Sequence, residues 1–186
     1  MHIYWLGRYL ERAENYARFI DVNFNLMQDL PVDLKEQWQP LIAATGDWDL
    51  YSAKYQEFEK NQVLFFLAFD LDNPNSMLSA ISRARENARI IRENLSKETW
   101  EKTNQLYMMM QEGCEKKVWK KPDPRPFFEK IKNQILLLYG IADSSVARVE
   151  GWYFRQLGQF LERADKTSRI LDVKYHILLP SGQDIG

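Results

Sequence analysis

What most constrains this chain is a repeat. Leu6-Gly7-Arg8-Tyr9-Leu10-Glu11-Arg12-Ala13-Glu14 returns 151 residues later as Leu157-Gly158-Gln159-Phe160-Leu161-Glu162-Arg163-Ala164-Asp165. The match continues from Arg18, Asp21 and Val22 to Arg169, Asp172 and Val173. In the first copy Leu6, Leu10, Ala13, Ala17, Ile20 and Phe24 fall at the spacing of one buried helix face. Polar positions repeat as well, which amphipathicity alone does not require. Gly7, Glu11, Glu14 and Arg18 share one stripe, and Gly158, Glu162, Asp165 and Arg169 form its counterpart. Adjacent residues of a helix point about 100° apart. Glu11 and Glu162 are therefore expected in the stripe, with Arg12 and Arg163 turned toward another neighbour or solvent.

A weaker third copy lies 71 residues after the first, where Ile81-Ser82-Arg83-Ala84 matches Leu10-Glu11-Arg12-Ala13. Its stripe reads Leu78, Ser82, Arg85 and Arg89, with arginines in place of acids. The charge change predicts that Arg85 and Arg89 answer Glu11, Glu14, Glu162 and Asp165. A second register, pairing Glu86-Asn87 with Glu14-Asn15, requires one inserted residue.

Between the copies the pattern stays helical. The first helix is predicted from Ile3 to Asp29, before Pro31, and Asp33 can cap a second that fades at Thr45-Gly46. Asp47 starts a third, and the run Val63 to Phe69 reads as a buried helix because no partner strand is in sight. Asn73-Pro74-Asn75-Ser76 is a turn and cap opening a fifth helix through about Asn94, and Ser96 caps a sixth. Lys120 to Pro126 must be loop, with a seventh helix from Pro126. A bend near Val149-Glu150-Gly151 precedes the last helix, to about Leu179, and a loose tail follows from Ser181 to Gly186. The expected fold is all-α, an antiparallel bundle in which the first, fifth and last long helices meet around the polar stripe.

The 186 residues suffice for one domain, 1–186, with a sizeable core. A net charge of -1 gives no general attraction to nucleic acid or anionic lipid. The single cysteine, Cys114, makes no internal disulfide, the start lacks signal-peptide architecture, and no apolar run approaches a membrane span. A cytoplasmic protein is expected. With His2 and His176 the only histidines, and no Glu-x-x-His pair, no metal is assigned. There is no glycine-rich phosphate loop, Ser144-Ser145 reads as helix, and Cys114 has no histidine nearby in sequence. No cofactor is assigned either. Between 116 and 132, Lys116, Lys117, Lys120, Lys121, Arg125, Lys130 and Lys132 face only Asp123 and Glu129, with Trp119 and Phe127 interleaved. Such a stretch resembles a nucleic-acid patch, yet the near-neutral whole favours an acidic protein partner.

The block Tyr4 to Asn15 resembles the opening signature of the alpha-E proteins, a bacterial all-helical family. Asn73 to Ser76, Arg85-Glu86-Asn87-Ala88-Arg89 and Trp100 to Asn104 resemble its middle. Gly151 to Phe154, and Leu157 through Asp165, resemble its later signature. The family pattern has a few more residues at the start and runs well beyond the later Glu-Arg helix, so the chain is expected to be either a piece of a longer protein or a short relative. The resemblance implies an association with circularly permuted ATP-grasp proteins and transglutaminase-like proteins, hence a system that makes or cuts amide or peptide bonds. It supplies no catalytic residue and no oligomeric state.

Two functions follow from these readings. One is a partner or scaffold domain without catalysis of its own, in which Glu11, Glu14, Arg18, Arg85, Arg89, Glu162, Asp165 and Arg169 form an interhelical charge network. Lys116, Lys117, Lys120, Lys121 and Arg125 then dock the partner. The other is an enzyme or ligand-binding subunit, with Arg18, Arg89 and Arg169 gripping a carboxylate or phosphate. There Glu11 or Glu162 would serve as acid or base.

Overall fold

The computed structural model describes residues 1–29, 38–145 and 150–178. Over these residues the chain forms helices and no strand. Helix α1 spans His2–Asp29. Helix α2, Gln39–Thr45, starts with Pro40 in its first turn and stops at Gly46, whose φ of 76° is the left-handed conformation that ends helices. The cap expected at Asp33 lies outside the described residues. Helices α3, Trp48–Ser52, and α4, Lys60–Ala68, follow, and the run from Val63 is helical as expected.

Helix α5, Met77–Ile90, is capped by Ser76, whose hydroxyl accepts from the Ser79 amide. It gives way to a 3-10 turn over Arg92–Asn94. Ser96 caps α6, Lys97–Glu115, by accepting from the Thr99 amide. A second 3-10 turn, Val118–Lys120, and a short loop lead to α7, Arg125–Ser145. The last helix, α8, is Glu150–Leu178. The bend expected near Val149 falls partly outside the described residues, and the tail from Ser181 wholly so.

Helix α1 is the axis of the molecule, packed against α8, α5 and α7, with α6 closing over α5 and α7 and α2 against α8. Its contacts fix the directions. Against α5, His2 meets Asn87, Tyr9 meets Arg83, and Arg12 meets Asn75 just ahead of the helix, so the two run antiparallel. Against α7, Glu11 meets Tyr139 and Asp21 meets Lys132, again antiparallel. Against α8, Arg8 meets Glu162, Glu11 meets Arg163, and Lys166 lies over Tyr16, so α1 and α8 run parallel and in register. The antiparallel bundle thus brings its first and last long helices side by side in one direction.

The core between them is apolar and aromatic. Leu6, Tyr16, Ile20, Phe66, Phe69, Ile81 and Phe128 are fully buried, each large side chain contributing about 1.5–3 kcal/mol of transfer free energy. Tyr51 stacks on Phe58, packs at a tilt on Tyr55 and meets Phe66 edge-on, and Phe69 packs on Trp119, Phe127 and Phe128.

Glycines let α1 and α8 approach to backbone contact. A side chain at Gly7 would collide with the carbonyl oxygen of Arg155, and one at Gly158 with that of Tyr4. Residue 155 is the repeat counterpart of residue 4, as 158 is of 7. The two helices therefore pack reciprocally about a local two-fold axis lying between them, along their common direction.

Candidate functional site: crossed Glu-Arg pairs

Each repeated glutamate is held by the arginines of the other copy. Arg163 Nε and Nη2 donate to Glu11 Oε1 and Oε2 at 2.6 and 3.1 Å. Arg12 Nε and Nη2 donate to Glu162 Oε1 and Oε2 at 2.7 and 3.1 Å. Both carboxylates are fully buried. Of the two outcomes expected for Arg12 and Arg163, another neighbour or solvent, the structure shows the neighbour, and it is the stripe of the other copy. Each does diverge from its own glutamate. The glycine contact brings the helices so close, however, that this direction leads straight to the glutamate across the axis.

The crossing is symmetric at its centre and asymmetric around it. Glu162 also receives Arg8 Nε and Nη2 at 2.9 and 2.7 Å, whereas the repeat counterpart of Arg8 is Gln159. Glu11 instead receives the hydroxyl of Tyr139, on α7, at 3.0 Å. Burial works to raise the Glu162 carboxyl, but the hydrogen bonds and charges of Arg12 and Arg8 outweigh it and hold it below the ordinary value. Burial, reinforced by Glu11, drives the Tyr139 hydroxyl well up, so it stays a donor.

From Glu162 a polar chain runs to the loops at the end of α2 and before α5. Arg12 Nη1 donates to Asn75 Oδ1 at 2.8 Å, Asn75 Nδ2 to Asp47 Oδ1 at 2.7 Å, and Tyr16 to Asp47 Oδ2 at 2.5 Å. Lys166, where the first copy has Asn15, donates to the carbonyl of Thr45 at 3.1 Å. Burial pulls its ammonium below the ordinary value against the opposing pull of Asp165, Asp47 and Glu162. Burial likewise lifts Tyr16 well up, with Asp47 adding to it.

The remaining stripe residues pair locally. Glu14 Oε1 accepts Arg18 Nη2 at 2.5 Å, and Glu14 Oε2 is buried with no hydrogen-bond partner. Burial raises that carboxyl, and Arg18 offsets it only in part. Asp165 accepts Arg169 Nε at 3.2 Å. Arg85 and Arg89 do not reach the acids of α1 and α8. Arg85 donates to Asn104 at 2.7 Å and covers the ring of Tyr107, and Arg89 donates to Glu86 at 3.0 Å. The face that α5 buries is Ala80, Ile81, Ala84 and Ala88, so the third copy keeps the apolar register of the repeat and points its arginines elsewhere.

In the basic stretch, Lys117, Lys120, Lys121 and Lys130 are exposed, Lys116 pairs with Glu112, and Arg125 forks onto Asp123 at 2.7 and 2.9 Å. Trp119 is buried against Phe65 and Phe69, and Phe127 lies over Gly113, so neither ring stands out to stack on a base. Burial pushes the Cys114 thiol up, and Glu115 adds to it, which suppresses the thiolate. Among the described residues no group of three acidic, histidine or cysteine side chains is placed to hold a metal ion.

Reasoning from sequence missed Tyr16, Asp47, Asn75, Tyr139 and Lys166. Asn75 lies in the turn before α5 and Asp47 at the start of α3, positions that carry a local role of their own. Lys166 breaks the repeat at the position of Asn15, and that departure was the available signal.

Fold and site together define an all-helical domain whose two Glu-Arg helices clasp each other. The family model of Alpha-E, described as a predicted alpha-helical domain with a conserved ER motif, matches residues 1–185, and the chain belongs to this family. Uncharacterised proteins of Mycobacterium bovis and Mycobacterium tuberculosis are 27% identical over 188 residues, covering 87% of this chain. The chain spans 20% of their length. No solved structure matches. No helix among the described residues is long and apolar enough to cross a membrane.

Proposed function

We propose that this chain is a helical partner domain without catalysis of its own, working beside an ATP-grasp amide- or peptide-ligase. The observation that carries the reading is the occupancy of the two repeated glutamates. Both oxygens of Glu11 and both of Glu162 accept hydrogen bonds from groups fixed on other turns or helices. A carboxylate so saturated is suited to fixing helix register and unsuited to moving a proton. Ligase chemistry enters through the family resemblance, and the exposed Lys117, Lys120 and Lys121 supply a surface for an acidic partner.

The test is binding between purified protein and an ATP-grasp protein from the same organism, read by calorimetry. The expected result is a one-to-one complex, weakened about tenfold or more by Lys120→Glu with Lys121→Glu and by added salt. A well-folded wild type that shows no heat of binding defeats the reading.

Glu14 gives a second reading its one support. Burial raises its carboxyl, and a protonated Glu14 releases the charge of Arg18, about half exposed, to a small anion. Under this reading, nucleotides or small carboxylates raise the melting temperature of the wild type and leave that of Arg18→Ala unchanged.

A further inference from the structure

The outer side of α8 carries an apolar face that is uncovered among the described residues. Tyr153, Phe154, Leu157, Phe160, Leu161 and Leu171 are 59%, 45%, 48%, 53%, 47% and 64% exposed. Tyr153, Leu157, Phe160, Ala164, Thr167 and Leu171 follow one another by steps of four and three, the 3.5-residue spacing by which one helix seats along another. Phe154 and Leu161 flank this line.

The repeat shows what kind of face this is. Leu157, Leu161, Ala164 and Leu171 are the counterparts of Leu6, Leu10, Ala13 and Ile20. On α1 those four are buried under the neighbouring helices. The local two-fold axis thus gives α8 a face of core character that no described residue covers.

We propose that this face is covered by a second copy of the same chain, α8 against α8 about a two-fold axis. Charge favours a like face as occupant. None of the eight positions named is ionisable except Tyr153, and the flanking Arg163 is already neutralised by Glu11 within its own chain. Two such faces meet without like charges being forced together. Shape favours it too, since in antiparallel pairing Phe160 falls opposite the small Ala164 of the partner subunit, a knob facing a hole. Area is sufficient. Six half-exposed large side chains offer roughly 600 Å² at about 100 Å² each, at the upper end of what monomers leave bare. Contact between two copies removes roughly 1,200 Å², the lower limit for a specific interface.

Sedimentation equilibrium over a wide concentration range tests the proposal. Wild-type protein is expected to reach twice its chain mass of 22.1 kDa. Leu157→Glu with Phe160→Glu should weaken the dimer about a hundredfold or more, with unchanged helical circular dichroism, because each copy then sets two charges against the other's apolar face. Leu71→Glu, at a residue 69% exposed between α4 and α5, should leave the dimer intact. If the double glutamate variant does not fold, Leu161→Gln with Leu171→Gln serves in its place. A wild type that stays at 22.1 kDa at every concentration overturns the proposal. So does a folded α8 variant that still dimerises.

Discussion

Taking a carboxylate out of water costs several kcal/mol unless donors replace its hydration, and the two most informative glutamates differ in that replacement. Glu162 receives four guanidinium N–H groups from Arg8 and Arg12. Glu14 has one oxygen on Arg18 and one with no partner. Glu162→Gln leaves two arginines packed around a neutral amide and is expected to cost about 3 kcal/mol or more. Glu14→Gln removes a poorly compensated charge and is expected to be neutral or stabilising near pH 7. Urea denaturation of both variants checks the pair, and an equal loss in each would contradict it. The pH dependence has opposite signs. The Glu162 carboxyl sits below its ordinary value in the fold, so its stabilisation is full above about pH 4.5 and disappears as pH falls through the lowered value. The Glu14 carboxyl sits above its ordinary value, so folding gains as pH falls through the raised value toward 4.5. Denaturation at several pH values should show the acid limb flattened in Glu162→Gln and steepened in Glu14→Gln.

At the scale of helices, the close approach of α1 and α8 rests on two missing side chains. Gly7→Ala or Gly158→Ala places a methyl group against a backbone carbonyl that cannot rotate away. Each is expected to cost about 1–3 kcal/mol, the usual range for overpacking. Gly140, inside α7, meets nothing within 4 Å, so Gly140→Ala should stabilise by about 0.5–1 kcal/mol through helix propensity alone. Thermal melts of the three variants decide it, and destabilisation by Gly140→Ala would show that propensity has been misjudged. The helices themselves were legible in the sequence because their signals are local: the stop at Gly46, the caps at Ser76 and Ser96, the spacing of Leu6 through Phe24. The kinship of α1 and α8 was legible from the repeat. Which neighbour Arg12 meets was not, since reading one helix at a time reveals the divergence of adjacent residues and says nothing of how near the next helix lies. Arg85 and Arg89 misled for the same reason. Their charges complemented the acids in the abstract, but α5 turns a face of alanines toward the bundle.

The whole molecule is closed by contacts between its most distant segments. Glu11 and Arg163 are 152 residues apart in sequence, yet their pair and its mate sit where α1, the axis of the bundle, meets the last helix. Ordering so long a loop is unfavourable until the ends meet, so the α1–α8 contact is expected to open as one unit rather than fray at α8. The crossed pairs make this coupling mutual, because freeing α8 strips Glu11 of Arg163 and Arg12 of Glu162 at once, leaving buried charge on α1. Native-state hydrogen exchange measures this directly. In wild type, the central amides of α1 and α8 should open with the same free energy. Glu162→Gln should lower both by equal amounts, although the altered side chain belongs to α8 alone. Loss of protection confined to α8 would mean that α1 stands on α5 and α7 without it, and that the Glu-Arg clasp joins two units that are stable apart.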